Sequence, residues 1–325
     1  MSNKTVLKKI IRIVMFLASW TMLFFLLKYI GFDKVKETFL SVGWKGALIL
    51  LCIGFVEHGA DSLAVFFALP QRKNFVSVVS SNCFGSLVND LIPWEVGELV
   101  KIGLLNNVAG YENSIKGVVL WNYVFKIAKS TALFSMVLIS LLFSFIIPDN
   151  FYQMNKFWLI LGCSVLGFLP YFGMMILLKL NMFAKIAGIL KYFGKKNADE
   201  IMKKAEQMDK DLNQFKKERP KDYRTVFGIQ FFARYVSLAT FLLCNHLVGS
   251  NYAVPILVLT YCAINLGNYI TAFIPMKVGV IEGTNYLIFA LMGLSGDIGA
   301  LTNVILRIKA LVVKSVISAL SIINK

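Results

Sequence analysis

Inside two long apolar stretches this chain repeats one short phrase. The first copy is Ile92-Pro93-Trp94-Glu95-Val96-Gly97, followed at once by Glu98; the second is Ile274-Pro275-Met276-Lys277-Val278-Gly279, followed by Glu282 and Gly283. Proline removes a helix N–H and glycine loosens the backbone, so each phrase breaks a helix. Backbone released at membrane depth survives only where protein buries it or a cavity wets it. Two such breaks, each with a carboxylate, point to an interior polar site.

The solvent of the chain follows from its composition. Its 325 residues are 57% hydrophobic, and several apolar runs reach the roughly 20 residues that span a hydrocarbon core. A soluble domain of this size has no way to hide that much apolar surface, so the chain is read as an integral membrane protein. The formal net charge of +16 then belongs to cytoplasmic loops and anionic lipid rather than to nucleic acid. Cys52, Cys83, Cys163, Cys244 and Cys262 lie in apolar surroundings without a CxxC pair and read as small core residues. His58 and His246 stand far from any ligand cluster, and neither a metal nor a cofactor is expected.

Six full transmembrane helices are expected, at about 13–30, 44–69, 114–147, 157–180, 225–248 and 298–323. The basic residues Lys4, Lys8, Lys9 and Arg12 before the first run resemble the start of a secretion signal, but the run is too long and lacks a small-x-small cleavage site. It reads as a retained span with a cytoplasmic N-terminus. Residues 75–105 are too polar for a lipid-facing helix, and a re-entrant hairpin turning at Pro93 to Gly97 accommodates them. Residues 252–294 are broken likewise at Pro275 to Gly279, although 252–274 is long enough by itself to cross.

Residues 181–224 form the sizeable hydrophilic segment, with twelve Lys/Arg against seven Asp/Glu, and are placed in the cytoplasm. Asn197 and Glu200 have capping-box spacing. Ile201, Ala205, Met208, Leu212 and Phe215 follow a helical stripe that Pro220 ends, which makes an amphipathic linker helix on the membrane domain.

The two phrases are 182 residues apart, and each follows two spans and precedes one. The second set starts from the opposite side of the membrane. The fold class is therefore an all-α polytopic membrane protein with six spans and two re-entrant hairpins in an inverted-topology repeat. One membrane domain covers 1–325, with repeat one at about 1–147 and repeat two at about 157–325. The C-terminus is cytoplasmic on this reading.

With those residues in hand, the chain resembles the flippase-like membrane domain of lysylphosphatidylglycerol synthases. Members of that family show an asparagine, a proline and a Gly-Glu with a base three positions on, matched by Asn89, Pro93, Gly97, Glu98 and Lys101. A second motif similar to Pro-x-x-x-Gly-x-x-Glu-Gly is matched by Pro275, Gly279, Glu282 and Gly283, and a late arginine by Arg307. Where relatives carry Glu-Arg in the third span, this chain has Asn122-Tyr123, with Lys126 and Lys129 further on. The resemblance implies lipid translocation, with the lipid made by a separate synthesising enzyme, because synthase members join such a domain to a soluble aminoacyl-transfer domain.

Charge energetics lead to the same class. A charged side chain at the centre of a membrane helix costs about 2.5 to 3.5 kcal/mol on insertion scales. Glu98, Lys101, Lys126, Lys277, Glu282 and Arg307 are expected to offset that cost by pairing across the two hairpins around one cavity, where the bases bind an anionic headgroup. Helix starts beyond Gly97 and Gly279 add backbone donors. Glu57, His58 and Asp61 mark a wet lumen or a helix end and are placed outside the site, while Lys309 and Lys314 snorkel to the interface.

Two alternatives stay open. A membrane lipid or glycosyl transferase would need a cytoplasmic acidic cluster for Mg²⁺, whereas the acids of 199–222 alternate with lysines. An ion-coupled transporter of a soluble solute would share broken helices and repeats but enclose its cavity.

Overall fold

The computed structural model of the chain describes residues 24–25, 28–91, 96–107, 110–146, 198–270 and 279–323. Most of the span expected at 13–30, all of that at 157–180, and Pro93, Pro275 and Lys277 lie outside these residues. Among the described residues every regular element is an α-helix. In chain order they are α1 Phe32–Ala68, α2 Phe75–Leu91, α3 Val96–Asn107, α4 Ser114–Ile146, α5 Ala198–Glu218, α6 Pro220–Leu247, α7 Val254–Ile270, α8 Val280–Leu291 and α9 Gly296–Ile323.

Three of them, α1, α4 and α6, are long and apolar enough to cross a membrane. Large apolar side chains such as Leu40, Trp44 and Leu48 on α1 and Leu142 and Phe143 on α4 point outward, the pattern of helices that face lipid rather than water. Helix α9 is as long as α6 but carries Arg307, Lys309 and Lys314. The 17 described residues of α7 rise about 26 Å at 1.5 Å each. In α1 the helical backbone breaks at Gly43, whose φ of +60° an L side chain rarely adopts. The span expected from Trp44 therefore starts at that bend, with a further helical stretch back to Phe32.

In lipid there is little hydrophobic drive between helices, and close backbone approach at small residues replaces it. Gly46 of α1 lies against Leu247 of α6, Gly54 of α1 against Val313 of α9, and Gly299 of α9 under the ring of Phe289 of α8. The tightest approach joins α2 to α3. A Cβ on Gly97 would sit 1.8 Å from the carbonyl oxygen of Gly85, and one on Gly85 would lie 2.9 Å from the Cβ of Lys101. Contacts that run backward along α2 as they run forward along α3 make the pair an antiparallel helical hairpin.

Two apolar cores hold most of the buried apolar side chains between the described helices. Met136 of α4, Phe241 of α6, Leu259 of α7 and Phe289 of α8 belong to one; Val65 of α1, Val78 of α2, Leu105 of α3 and Trp121 of α4 belong to the other. Phe215 of α5, the last residue of the stripe read from the sequence, is buried in the second core. Pro220 ends α5 and opens α6, leaving Arg219 alone between them.

Arg219 fastens this junction. Its guanidinium donates to the carbonyls of Phe67 and Leu69 at 3.0 Å each and to Asp222 at 2.7 Å. These carbonyls belong to the last turn and cap of α1, where acceptors lack helical partners and a cation meets the negative end of the dipole. Arg219→Ala is expected to cost about 1–3 kcal/mol, by the loss of charge-assisted hydrogen bonds. A lower unfolding temperature in detergent, with faster proteolysis at the α5–α6 junction, checks it.

Candidate functional site

Each phrase leads into a helix whose first turn holds a carboxylate with a base beside it. At α3 the side chain of Asn89, near the end of α2, accepts the Gly97 N–H at 2.7 Å and donates to Glu98 Oε1 at 3.3 Å. One amide thus ties the two arms of the hairpin together. Lys101 follows Glu98 by one helical turn and reaches it at 2.9 Å. Its Nζ also lies 4.1 Å from the ring centroid of Trp121 on α4. Lys101 is only 1% exposed, and the carboxylate and the ring face together replace the water its ammonium has lost.

At α8 the geometry is similar in kind. Gly279 stands at the N-cap with φ +76°, and its N–H donates to Glu282 Oε2 at 2.6 Å, one half of a capping box. The other oxygen of Glu282 accepts from Arg307 Nη1 at 2.8 Å and Asn303 Nδ2 at 3.2 Å, both on α9. Glu282 is 1% exposed, and Gly283 is buried beside it in the first turn. A carboxylate at a helix N-terminus complements the positive end of the dipole.

These contacts correct the pairing expected across the two hairpins. Glu98 takes its base from its own helix and Glu282 from α9, because a partner one turn away or on the adjacent packed helix is nearer than one on the other hairpin. The two sites are linked through α9. Lys314 follows Arg307 by two turns, roughly 10 Å along one face, and pairs at 2.5 Å with Asp90, the residue after Asn89.

Lys126 is a second correction, since it is exposed. It stands five residues after Trp121 on α4, well round the helix from the face that meets Lys101. Lys277 lies outside the described residues. Gly97 lies within the first turn of α3 rather than before it.

Lys309 and Lys314 do not reach an interface. They are 8% and 6% exposed; Lys309 pairs with Glu57 of α1, which also accepts from Thr240 of α6 at 3.2 Å. Asp61 of α1 accepts from Gln230 at 2.9 Å and lies 3.7 Å from Arg234, both on α6. Glu57 and Asp61 therefore belong to a polar core where α1, α2, α6 and α9 meet. Arg234 and Trp121 carry no motif and were not singled out in the sequence. An arginine inside an apolar span is the one signal that marks the former.

The family model described as "Lysylphosphatidylglycerol synthase TM region" matches residues 10–318. The chain belongs to this family. No curated protein and no solved structure matches it. Membership in the lysylphosphatidylglycerol synthase transmembrane family, with the apolar helices α1, α4 and α6, makes this a membrane protein with a lipid-related role. Among the described residues no group of three or more His, Cys, Asp and Glu is placed to hold a metal ion.

Proposed function

We propose that the protein is a lipid translocase that moves an anionic phospholipid or a polyprenyl-phosphate-linked lipid between leaflets. The observation that carries this reading is the recurrence of one device, a base paired with a carboxylate in the first turn of a helix, with one partner of each pair buried: Lys101 with Glu98 at α3, and Glu282 with Arg307 at α8. A lipid phosphate that displaces such a carboxylate meets the base and the free N–H groups of the helix start together. When the lipid leaves, the carboxylate returns, so the empty state buries no unpaired base.

In this reading α2–α3 and α7–α8 are re-entrant hairpins from opposite membrane faces, completing an inverted repeat with six full spans. The N-terminus, the segment at 181–224 and the C-terminus face the cytoplasm, where a separate enzyme supplies the lipid. An apolar cavity of ≈ 280 Å³ between α4, α6 and α7, lined by Met136, Phe143, Leu238 and Val258, suits an acyl chain while the headgroup moves through the polar interior. The hydroxyls of its wall are engaged elsewhere: Ser140 donates to the carbonyl of Pro255 at 2.7 Å and Tyr235 bonds to Ser135 at 2.7 Å.

Reconstitution tests the proposal. Purified protein in phosphatidylcholine vesicles containing acyl-labelled phosphatidylglycerol is expected to expose the inner-leaflet label to an external quencher faster than protein-free vesicles do. If neither phosphatidylglycerol nor a polyprenyl-phosphate lipid exchanges faster, the translocase reading fails and the transferase reading replaces it.

A further inference from the structure

Arg234 of α6 is a half-buried base that the headgroup site described above does not use. It lies 3.7 Å from Asp61, the longest of the described ion pairs and beyond hydrogen-bond reach, while Asp61 takes a closer donor in Gln230 at 2.9 Å. The Nε of Arg234 is buried without a partner. Holding a guanidinium among helices short of acceptors is costly, because the water it gave up has not been replaced. An oxyanion would supply what Asp61 does not.

Phe125 of α4 orients this charge. The guanidinium carbon lies 5.0 Å from the centroid of the Phe125 ring, an attraction that engages the cation while its N–H groups still call for acceptors. Phe125 follows Trp121 by one helical turn with ring centroids 5.6 Å apart, and Lys101 Nζ lies 4.1 Å from the Trp121 centroid. Two bases on two neighbouring rings thus form a row along α4. It begins at the Glu98–Lys101 pair and ends at Arg234. Lys129, half-buried and with an interaction of its own, stands one turn beyond Phe125 on the same helix.

Beyond Arg234 the surroundings turn apolar. Tyr235 is the next residue of α6 and Leu238 lies one turn on from Arg234, and both line the cavity of ≈ 280 Å³ between α4, α6 and α7. Ile139 and Phe143 of α4 and Val254 of α7 belong to the same wall and are exposed. On a membrane-spanning domain such side chains face lipid, so the cavity borders the hydrocarbon. Phospholipid acyl chains are what surround it there.

We infer that Arg234 and this cavity form one binding site for a phospholipid, with the guanidinium on the phosphate and one acyl chain in the cavity. The inference rests on the translocase reading and adds a holding site to it, next along the row of bases from Lys101. Arginine suits the task because its planar fork can meet two phosphate oxygens at once. Asp61 keeps Gln230 when the guanidinium turns to the phosphate.

Photolabelling of the full chain in maltoside micelles, which contain no phosphate, tests the site. One probe is phosphatidylglycerol with a diazirine near the end of an acyl chain; the other is a diacylglycerol with the same chain and no phosphate. The first is expected to attach at cavity residues such as Leu238 and Val258, read by peptide mass spectrometry, and the second about tenfold less, as the loss of a charge-assisted hydrogen bond implies. Excess unlabelled phosphatidylglycerol is expected to suppress the adduct. Glycerol phosphate, a headgroup without a chain, is expected to leave it unchanged.

Variants distinguish phosphate binding from a merely structural pairing with Asp61. Arg234→Gln is expected to lower the phosphatidylglycerol adduct to the diacylglycerol level, and Val258→Trp, which fills the cavity and keeps the charge, to abolish it. Asp61→Asn retains an oxygen for Gln230 and frees the guanidinium, so it is expected to label at least as strongly as the unaltered protein. The double variant Asp61→Asn with Arg234→Gln orphans no carboxylate and is expected to stay as low as Arg234→Gln. Equal labelling by the two probes, full labelling of Arg234→Gln, or recovery in the double variant overturns the site. Accelerated exchange in vesicles without a cavity adduct overturns the site and leaves the translocase standing, whereas an adduct without exchange does the reverse.

Discussion

Arg307→Ala is expected to reduce exchange of labelled phosphatidylglycerol in reconstituted vesicles to the protein-free rate. The guanidinium is the positive partner of the buried carboxylate at the start of α8, 2.8 Å from Glu282 Oε1. It is also the group a phosphate would meet on taking the place of that carboxylate. Removing one member of a buried ion pair costs about 3–5 kcal/mol when the other stays charged in a dry site. Here the arginine side chain is 23% exposed, which brings water near the pair and places the cost at or below the lower end of that range. Glu282 also keeps the N–H of Gly279 and the amide of Asn303.

Stability and transport separate in the double variant. Glu282→Gln keeps an oxygen for the Gly279 N–H and removes the charge, so adding it to Arg307→Ala leaves no orphaned carboxylate. The double variant is expected to regain most of the unfolding temperature lost by Arg307→Ala and none of the exchange. Full exchange in Arg307→Ala would remove the arginine from the headgroup site. Recovery of exchange with the double variant would show that its role was structural.

Gly97→Ala is expected to be the most damaging single-methyl change in the described structure. Its Cβ would sit 1.8 Å from the Gly85 carbonyl oxygen and 2.6 Å from the Asn89 amide, and a Cβ has no rotamer by which to escape. The arms of the α2–α3 hairpin must then separate, which parts Asn89 from the Gly97 N–H and loosens the site of Glu98 and Lys101. Overpacking costs typically about 1–3 kcal/mol where neighbours can shift, and a collision with backbone belongs at or beyond the top of that range. Gly103→Ala is the control, because a Cβ there meets no heavy atom within 4 Å. Within a helix that change is expected to be neutral or stabilising by about 0.5–1 kcal/mol. Unfolding temperatures in detergent distinguish the two; equal values would deny the close approach at Gly97.

Both predictions concern residues that the sequence had already marked, and the reason is physical. A charge or a helix break inside an apolar run is costly wherever the chain folds, so it can be read without knowing its partner. Asn89, Gly97, Glu98, Lys101, Gly279, Glu282 and Arg307 were legible on that ground. Lys126 met the same criterion and is exposed, because a lysine on a membrane helix lowers its cost equally well by leaving the interior. The reverse happened at Lys309 and Lys314, which looked able to snorkel but are buried against Glu57 and Asp90.

What the sequence determined by itself is the class of solvent, the helical content and the places where polar groups break apolar runs. These depend on composition and on spacing along one chain, and local chemistry dictates them. Partner choice is different. Glu57 and Lys309 are separated by 252 positions, Asp90 and Lys314 by 224, and nothing in the spacing between them selects those pairs over others. The tertiary structure decided them, through glycines that bring α1 close to α6 and α9 and so fix which charges face each other.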